Sequence, residues 1–256
     1  TRLDHFAIYM ENHVRFVECN GAGERAGLYY TCVNSYLTAE ELAYVVNNSE
    51  SQLLITSRAK LTVAQAALAQ CPRVKRCLVV DGADAVRALG APRFEDFAEA
   101  TARHPDTPIA DEWLGTAMPY SSGTTGRPKG ILRPLPESPP VQPLALFHIL
   151  GELWHCRDDM RYLCPAPLYH AAPQAHVAQT IRHGGTAVIM EHFDPEACLA
   201  LIEQHRITHI QLVPTMFSRM LKLPEDVRRR YDVSSLEAVV HAAAPCPVPV
   251  KEQMID

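Results

Sequence analysis

The chain has 256 residues, 47% apolar and 21% charged, an ordinary globular composition with enough length for a large core. Its net charge of −5 and the lack of a basic run argue against a nucleic-acid surface. No uncharged apolar stretch reaches the roughly eighteen residues a membrane span needs, and Arg2, Asp4 and His5 are unlike a secretory leader.

Short apolar runs alternate with amphipathic stretches along the chain. Phe6–Met10, Gln52–Thr56, Cys77–Val80, Thr186–Met190 and His209–Val213 have strand length and nearly continuous apolarity, as expected of strands buried on both faces of a parallel sheet. Between them, Thr38-Ala39-Glu40-Glu41 is a capping box, followed by Leu42, Val45 and Val46 at helical spacing. Asp194-Pro195 sets an N-cap before a first-turn proline, with Cys198, Leu201, Ile202 and His205 on one stripe. Pro214 opens a further helix with Phe217, Met220 and Leu221 inward. The alternation predicts an α/β fold of doubly wound parallel sheets with flanking helices.

Tyr120-Ser121-Ser122-Gly123-Thr124-Thr125-Gly126-Arg127-Pro128-Lys129-Gly130 sits between apolar segments and holds four Ser/Thr hydroxyls, three glycines and a lysine. Glycine lets backbone N–H groups approach a ligand, and such a nest with hydroxyls and an ammonium suits a polyphosphate. A Walker A loop needs Gly-Lys-Ser/Thr, but Pro128 precedes Lys129 and Gly130 follows it; the Rossmann spacing fails too, since Gly123 and Gly126 are three apart. Gly/Ser/Thr runs are also common linkers, yet a linker does not account for Pro128-Lys129-Gly130 running straight into Ile131-Leu132. Five prolines between Pro134 and Pro143 then exclude helix or central strand and predict an extended surface loop. A boundary is expected near that loop or just before the phosphate loop, giving parts 1–115 and 116–256.

Eight cysteines without a Cys-x-x-Cys pair point to free, mostly buried thiols in a reducing cytoplasm. Twelve histidines are expected as surface or satisfied core residues. The chain opens on Thr1 and ends at Asp256 within a helical stretch, so it reads as a segment of a longer polypeptide.

From Met118 to Lys129 the loop resembles, at every position, the signature of the adenylate-forming (AMP-binding) superfamily: acyl-CoA synthetases, luciferases and peptide-synthetase adenylation domains. Ala166-Pro167-Leu168-Tyr169-His170 looks like that family's Pro-Leu-aromatic-His segment, Leu212-Val213-Pro214-Thr215-Met216 like its pocket-lining turn, and His241-Ala242-Ala243-Ala244-Pro245 like its adenine-flanking segment. With Gly27-Leu28-Tyr29-Tyr30-Thr31, these features look most like a fatty-acyl-CoA synthetase, and the fold implied is the large N-terminal domain, incomplete here.

The resemblance implies ATP, Mg2+ and coenzyme A, and activation of a hydrophobic acid to acyl-adenylate followed by transfer to coenzyme A. It assigns Ser121, Ser122, Gly123, Thr124, Thr125, Gly126 and Lys129 to phosphates, with Thr124, Lys129 and His170 catalytic. Tyr169, His170, Thr215 and Met216 go to the acid, and Ala243, Ala244 and Pro245 to adenine; His170 could instead cap a helix and Thr215-Met216 simply pack. The acidic magnesium motif and the C-terminal domain of the family do not occur in these residues, so the segment alone is expected to be inactive. A carrier-protein acceptor, a non-catalytic nucleotide-binding role, peripheral membrane contact and self-association stay open.

Overall fold

A computed structural model describes residues 1–121, 127–142, 145–242 and 244–255. The chain divides into two compact units, Thr1–Gln142 and Pro143–Asp256. The boundary between them lies at the carboxyl end of the proline-rich segment, just before Pro143.

The first unit runs β1 (His5–Tyr9), α1 (Val14–Arg25), β2 (Tyr29–Cys32), α2 (Ala39–Asn48), β3 (Leu53–Ser57), a 3-10 turn (Arg58–Lys60), α3 (Leu61–Leu68), β4 (Arg76–Val80), α4 (Ala83–Leu89), β5 (Phe94–Asp96), α5 (Phe97–Thr101), β6 (Thr116–Ala117), β7 (Tyr120–Ser121) and β8 (Lys129–Gly130). Six strands form one parallel sheet in the order β5-β4-β3-β1-β2-β6. The chain steps from β1 to β2 on one side and then returns past β1 to β3, so the sheet is wound in both directions. Alternation divides β1 between two buried faces. Ala7 and Tyr9 join Leu54, Cys77 and Val79 against Leu42, Val45 and Val46 of α2 and Ala64, Ala67 and Leu68 of α3, while Phe6 and Ile8 are buried on the opposite face. Burial on both faces is why this run is apolar throughout. The capping box of α2 forms as expected: Glu41 N–H donates to Thr38 Oγ1 at 3.4 Å and Thr38 N–H to Glu41 Oε2 at 2.8 Å.

The second unit runs α6 (Ala145–Leu153), β9 (Arg161–Cys164), α7 (Ala171–Arg182), β10 (Thr186–Ile189), α8 (Pro195–His205), β11 (His209–Leu212), α9 (Pro214–Leu221), α10 (Glu225–Arg228), β12 (Ala238–His241) and α11 (Val248–Ile255). Its four strands are parallel in the order β10-β9-β11-β12. Asp194 caps α8 through Ala197 N–H at 2.8 Å, with Pro195 in the first turn. The buried stripe of α8 is Cys198, Leu199 and Ile202, Leu201 and His205 being only partly buried.

One face of this sheet is apolar: Leu163, Ile210 and Leu212 meet α8 and Met216, Phe217 and Met220 of α9. The other face corrects the expectation of near-continuous apolarity in β11. Tyr162 and His209 are register partners, and with Cys164 and Gln211 they lie on the same side under α7. Tyr162, His209 and Gln211 are 0%, 3% and 1% exposed, and His176, Gln179 and Thr180 of α7 are buried over them. The His176 ring stacks between Trp154 and Tyr162, its centroid 3.5 Å and 5.4 Å from theirs. His176 Nδ1 lies 3.0 Å from the Ala172 carbonyl oxygen, but its Nε2 has no hydrogen-bond partner, so not every core histidine is satisfied.

Burial pushes His176 down from 6.5 to about 4, with nearby His209 adding to the shift. An imidazole held neutral in the fold contributes stability that is complete above its unfolded pKa and is lost as pH falls through its folded one. Between pH 6.5 and about 4 the protein is therefore expected to lose roughly 3 kcal/mol from this residue, at about 1.4 kcal/mol per unit. Urea midpoints measured across that window should show the loss in the wild type and a much flatter profile in His176→Leu. Parallel profiles for the two proteins would remove His176 from the account.

Candidate nucleotide and acid site

The residues expected to form a phosphate loop belong to the first unit. β7 and β8 form an antiparallel hairpin in which Tyr120 faces Gly130 and Ser121 faces Lys129. Directly opposed residues of an antiparallel pair put their side chains on one side, with Cβ atoms about 5 Å apart. The Ser121 hydroxyl and the Lys129 ammonium, both exposed, therefore share one face of the hairpin. Ser122, Gly123, Thr124, Thr125 and Gly126 join the two strands and lie outside the described residues. Gly130 lies close under the Met118 methyl and the Tyr120 ring, so a Cβ there would make both side chains shift.

In the second unit, three expected segments follow the carboxyl ends of three adjacent strands. Pro165–His170 follows β9, Val213–Met216 follows β11, and Ala242–Pro245 follows β12. The chain leaves β9 toward β10 on one side and reaches β11 on the other, so β9 and β11 flank the switch point where open α/β sheets hold ligands. His170 occupies the N-cap position of α7 without a side-chain cap bond, which leaves its ring available. It is exposed, and partial desolvation of its ring by neighbouring atoms lowers its pKa, which favours the neutral form. The Tyr169 ring lies beside it, centroids 4.5 Å apart.

Thr215 is exposed in the first turn of α9, whereas Met216 is 8% exposed and packed in the apolar core. Ala244 and Pro245 are exposed, and Ala243 lies outside the described residues. At the end of β12 the His241 ring meets Phe217 edge-on at 6.1 Å.

A cavity of about 480 Å³ lies elsewhere, lined by Asp4, His5, Glu50, Gln52, Arg73 and Lys75. His5, Gln52 and Lys75 mark the amino ends of β1, β3 and β4, opposite to where such sheets bind ligands. Among the described residues no group of three His, Cys, Asp or Glu side chains could hold a metal ion. All eight cysteines are free, and no helix among the described residues is long and apolar enough to cross a membrane. Sequence reading does not single out Tyr44 and Asn48 of α2, which hydrogen-bond the Pro128 carbonyl and the Tyr120 hydroxyl, because they lie far from the motif along the chain.

Comparison with known proteins shows the family and the fold. The family model described as "AMP-binding enzyme" matches residues 1–256. Feruloyl-CoA synthase of Amycolatopsis sp is 31% identical over 265 residues, covering 99% of this chain and 47% of the relative. Acyl-CoA synthetase 7 of Caenorhabditis elegans is 28% identical, covering 95% and 45%. The chain thus spans about half the length of these relatives. The inhibitor-bound N-terminal domain of FACL13 from Mycobacterium tuberculosis superposes with a TM-score of 0.80 at 23% identity, over all of this chain and 60% of that one, a likeness of fold. The parallel sheets with their flanking helices are the fold of adenylate-forming N-terminal domains, and this chain belongs to the AMP-binding enzyme family.

Proposed function

We propose that the full-length protein activates a fatty or related hydrophobic carboxylic acid with ATP and passes the acyl group to coenzyme A. The observation that carries this reading is the register pair Ser121–Lys129 at the base of a Gly/Ser/Thr segment, in a chain matched along its whole length by one adenylating family. A carboxylate is a poor electrophile at neutral pH. In the first step its oxygen attacks the α-phosphorus of ATP, the bond to pyrophosphate breaks, and an acyl-adenylate forms. In the second, the thiolate of coenzyme A attacks the acyl carbon, the carbon–oxygen bond breaks, and AMP leaves.

The protein's part is alignment and charge neutralisation. Ser121, Ser122, Gly123, Thr124, Thr125 and Gly126 hold the β- and γ-phosphates, and Lys129 offsets the charge that grows on the departing pyrophosphate. His170, uncharged, offers a ring N–H to the carboxylate with Tyr169 beside it. Thr215 and the buried Met216 behind it shape the acid's surroundings, and Ala243, Ala244 and Pro245 flank adenine. Magnesium comes with ATP as part of the substrate. In this reading the functional division falls at 115/116, since every assigned residue follows it, and the free thiols suit a cytoplasmic setting.

Full-length protein should exchange labelled pyrophosphate into ATP only when a hydrophobic acid is present. Exchange across an acid panel would set the substrate class. Inorganic phosphate released in place of pyrophosphate would overturn the reading.

A further inference from the structure

The hairpin that carries the phosphate loop is clamped to α2 on both of its strands. Tyr44 Oη donates to the Pro128 carbonyl at 3.0 Å, one residue before Lys129. Tyr120 Oη, from the other strand, donates to Asn48 Oδ1 at 2.7 Å. Tyr44 and Asn48 are four residues apart, hence on one face of the helix. The opposite duty of α2 is fixed, because Leu42, Val45 and Val46 are buried in the core and the helix start is doubly capped. Proline has no N–H, so the Pro128 carbonyl is the one backbone group by which that residue can be held. The Tyr44 ring also lies under the Arg127 guanidinium, 5.0 Å from its centroid.

We infer that Tyr44 and Tyr120 are positioning residues for Lys129, setting the ammonium against the phosphates through the hairpin base. The inference rests on the adenylating role given to Lys129 above. Tyr44→Phe keeps the ring under Arg127 and removes only the hydroxyl; Tyr120→Phe does the same on the other strand.

Two measurements on the full-length protein test this. Hydrogen exchange of the Arg127, Lys129, Gly130 and Ile131 amides does not depend on activity: each Phe variant should exchange these amides faster than wild type while β1, β3 and β4 keep their protection. Unchanged exchange in both variants would overturn the inference even if the protein proved to have another activity. Pyrophosphate exchange then reads the function. Loss of one such hydrogen bond should lower the adenylation rate about three- to tenfold with little change in KM for the acid. Because the tyrosine acts through the lysine, adding Tyr44→Phe to Lys129→Ala should cost almost nothing further. Full additivity of the two substitutions would show that Tyr44 does not work through Lys129. A wild type without pyrophosphate exchange would sink the proposed function, leaving the hydrogen-exchange result to decide the anchoring by itself.

Discussion

Gly115→Ala is expected to destabilise the unit Thr1–Gln142 by at least about 3 kcal/mol, the upper end of ordinary overpacking. The reason is backbone, not side chain. A Cβ at this position would overlap the Gly23 carbonyl oxygen, lie 2.5 Å from the Leu28 carbonyl oxygen and 2.8 Å from the Leu28 nitrogen. None of these atoms can swing away as a flexible side chain would. The same segment is tied down by Gly115 N–H donating to the Glu24 carbonyl at 2.7 Å and Thr116 N–H to Leu28 at 3.0 Å. These bonds seat β6 on the sheet edge, and the phosphate-loop hairpin begins three residues after β6. Denaturant unfolding of the variant should therefore show a large fall in midpoint. A midpoint within a few tenths of a kcal/mol of wild type would mean that the close approach of α1, β2 and the Gly115 segment is looser than described.

Lys129→Ala should slow adenylation by the full-length protein roughly ten- to a hundredfold. A charge-assisted contact is worth about 1.5–3 kcal/mol, and about 1.4 kcal/mol is tenfold in rate. Because the side chain is exposed on the hairpin, stability should change little. Thioester formation from supplied acyl-adenylate, where pyrophosphate has already left, should be affected far less. Equal losses in the two half-reactions would make the lysine structural.

What could be read from the amino-acid order was what local chemistry dictates. Thr38 with Glu41, and Asp194 with Pro195, mark helix starts because the groups that satisfy the first N–H donors lie within a few residues. The runs at β1, β3, β4, β10 and β11 were legible to within a residue because each gathers Val, Ile or Leu into four or five consecutive positions. β9 was not, since Arg161-Tyr162-Leu163-Cys164 opens on an exposed charged residue and leaves only three apolar positions, too short a run to stand out. α1 escaped notice because Asn20, Gly21 and Gly23 are poor helix formers; its helicity comes from packing Phe16, Cys19 and Gly23 inward.

The phosphate-loop motif itself stood out, but β7 and β8 are two residues each, too short for any period. Their anchors were invisible for a related reason. Nothing in the spacing of Tyr44 and Asn48 along α2 points to Pro128 or Tyr120, some seventy to eighty positions away, and only the fold brings them together.

The central claim is that this loop serves attack on the α-phosphorus by a carboxylate. It is tested most directly by supplying the full-length protein with ATP, coenzyme A and a hydrophobic acid bearing heavy oxygen in its carboxyl group. If the carboxylate oxygen bonds to the α-phosphorus and the thiolate later breaks the acyl carbon–oxygen bond, one labelled oxygen leaves on AMP, and mass spectrometry should find it there. Label recovered in inorganic phosphate, with ADP as the nucleotide product, would mean transfer of the γ-phosphoryl group and would contradict the account.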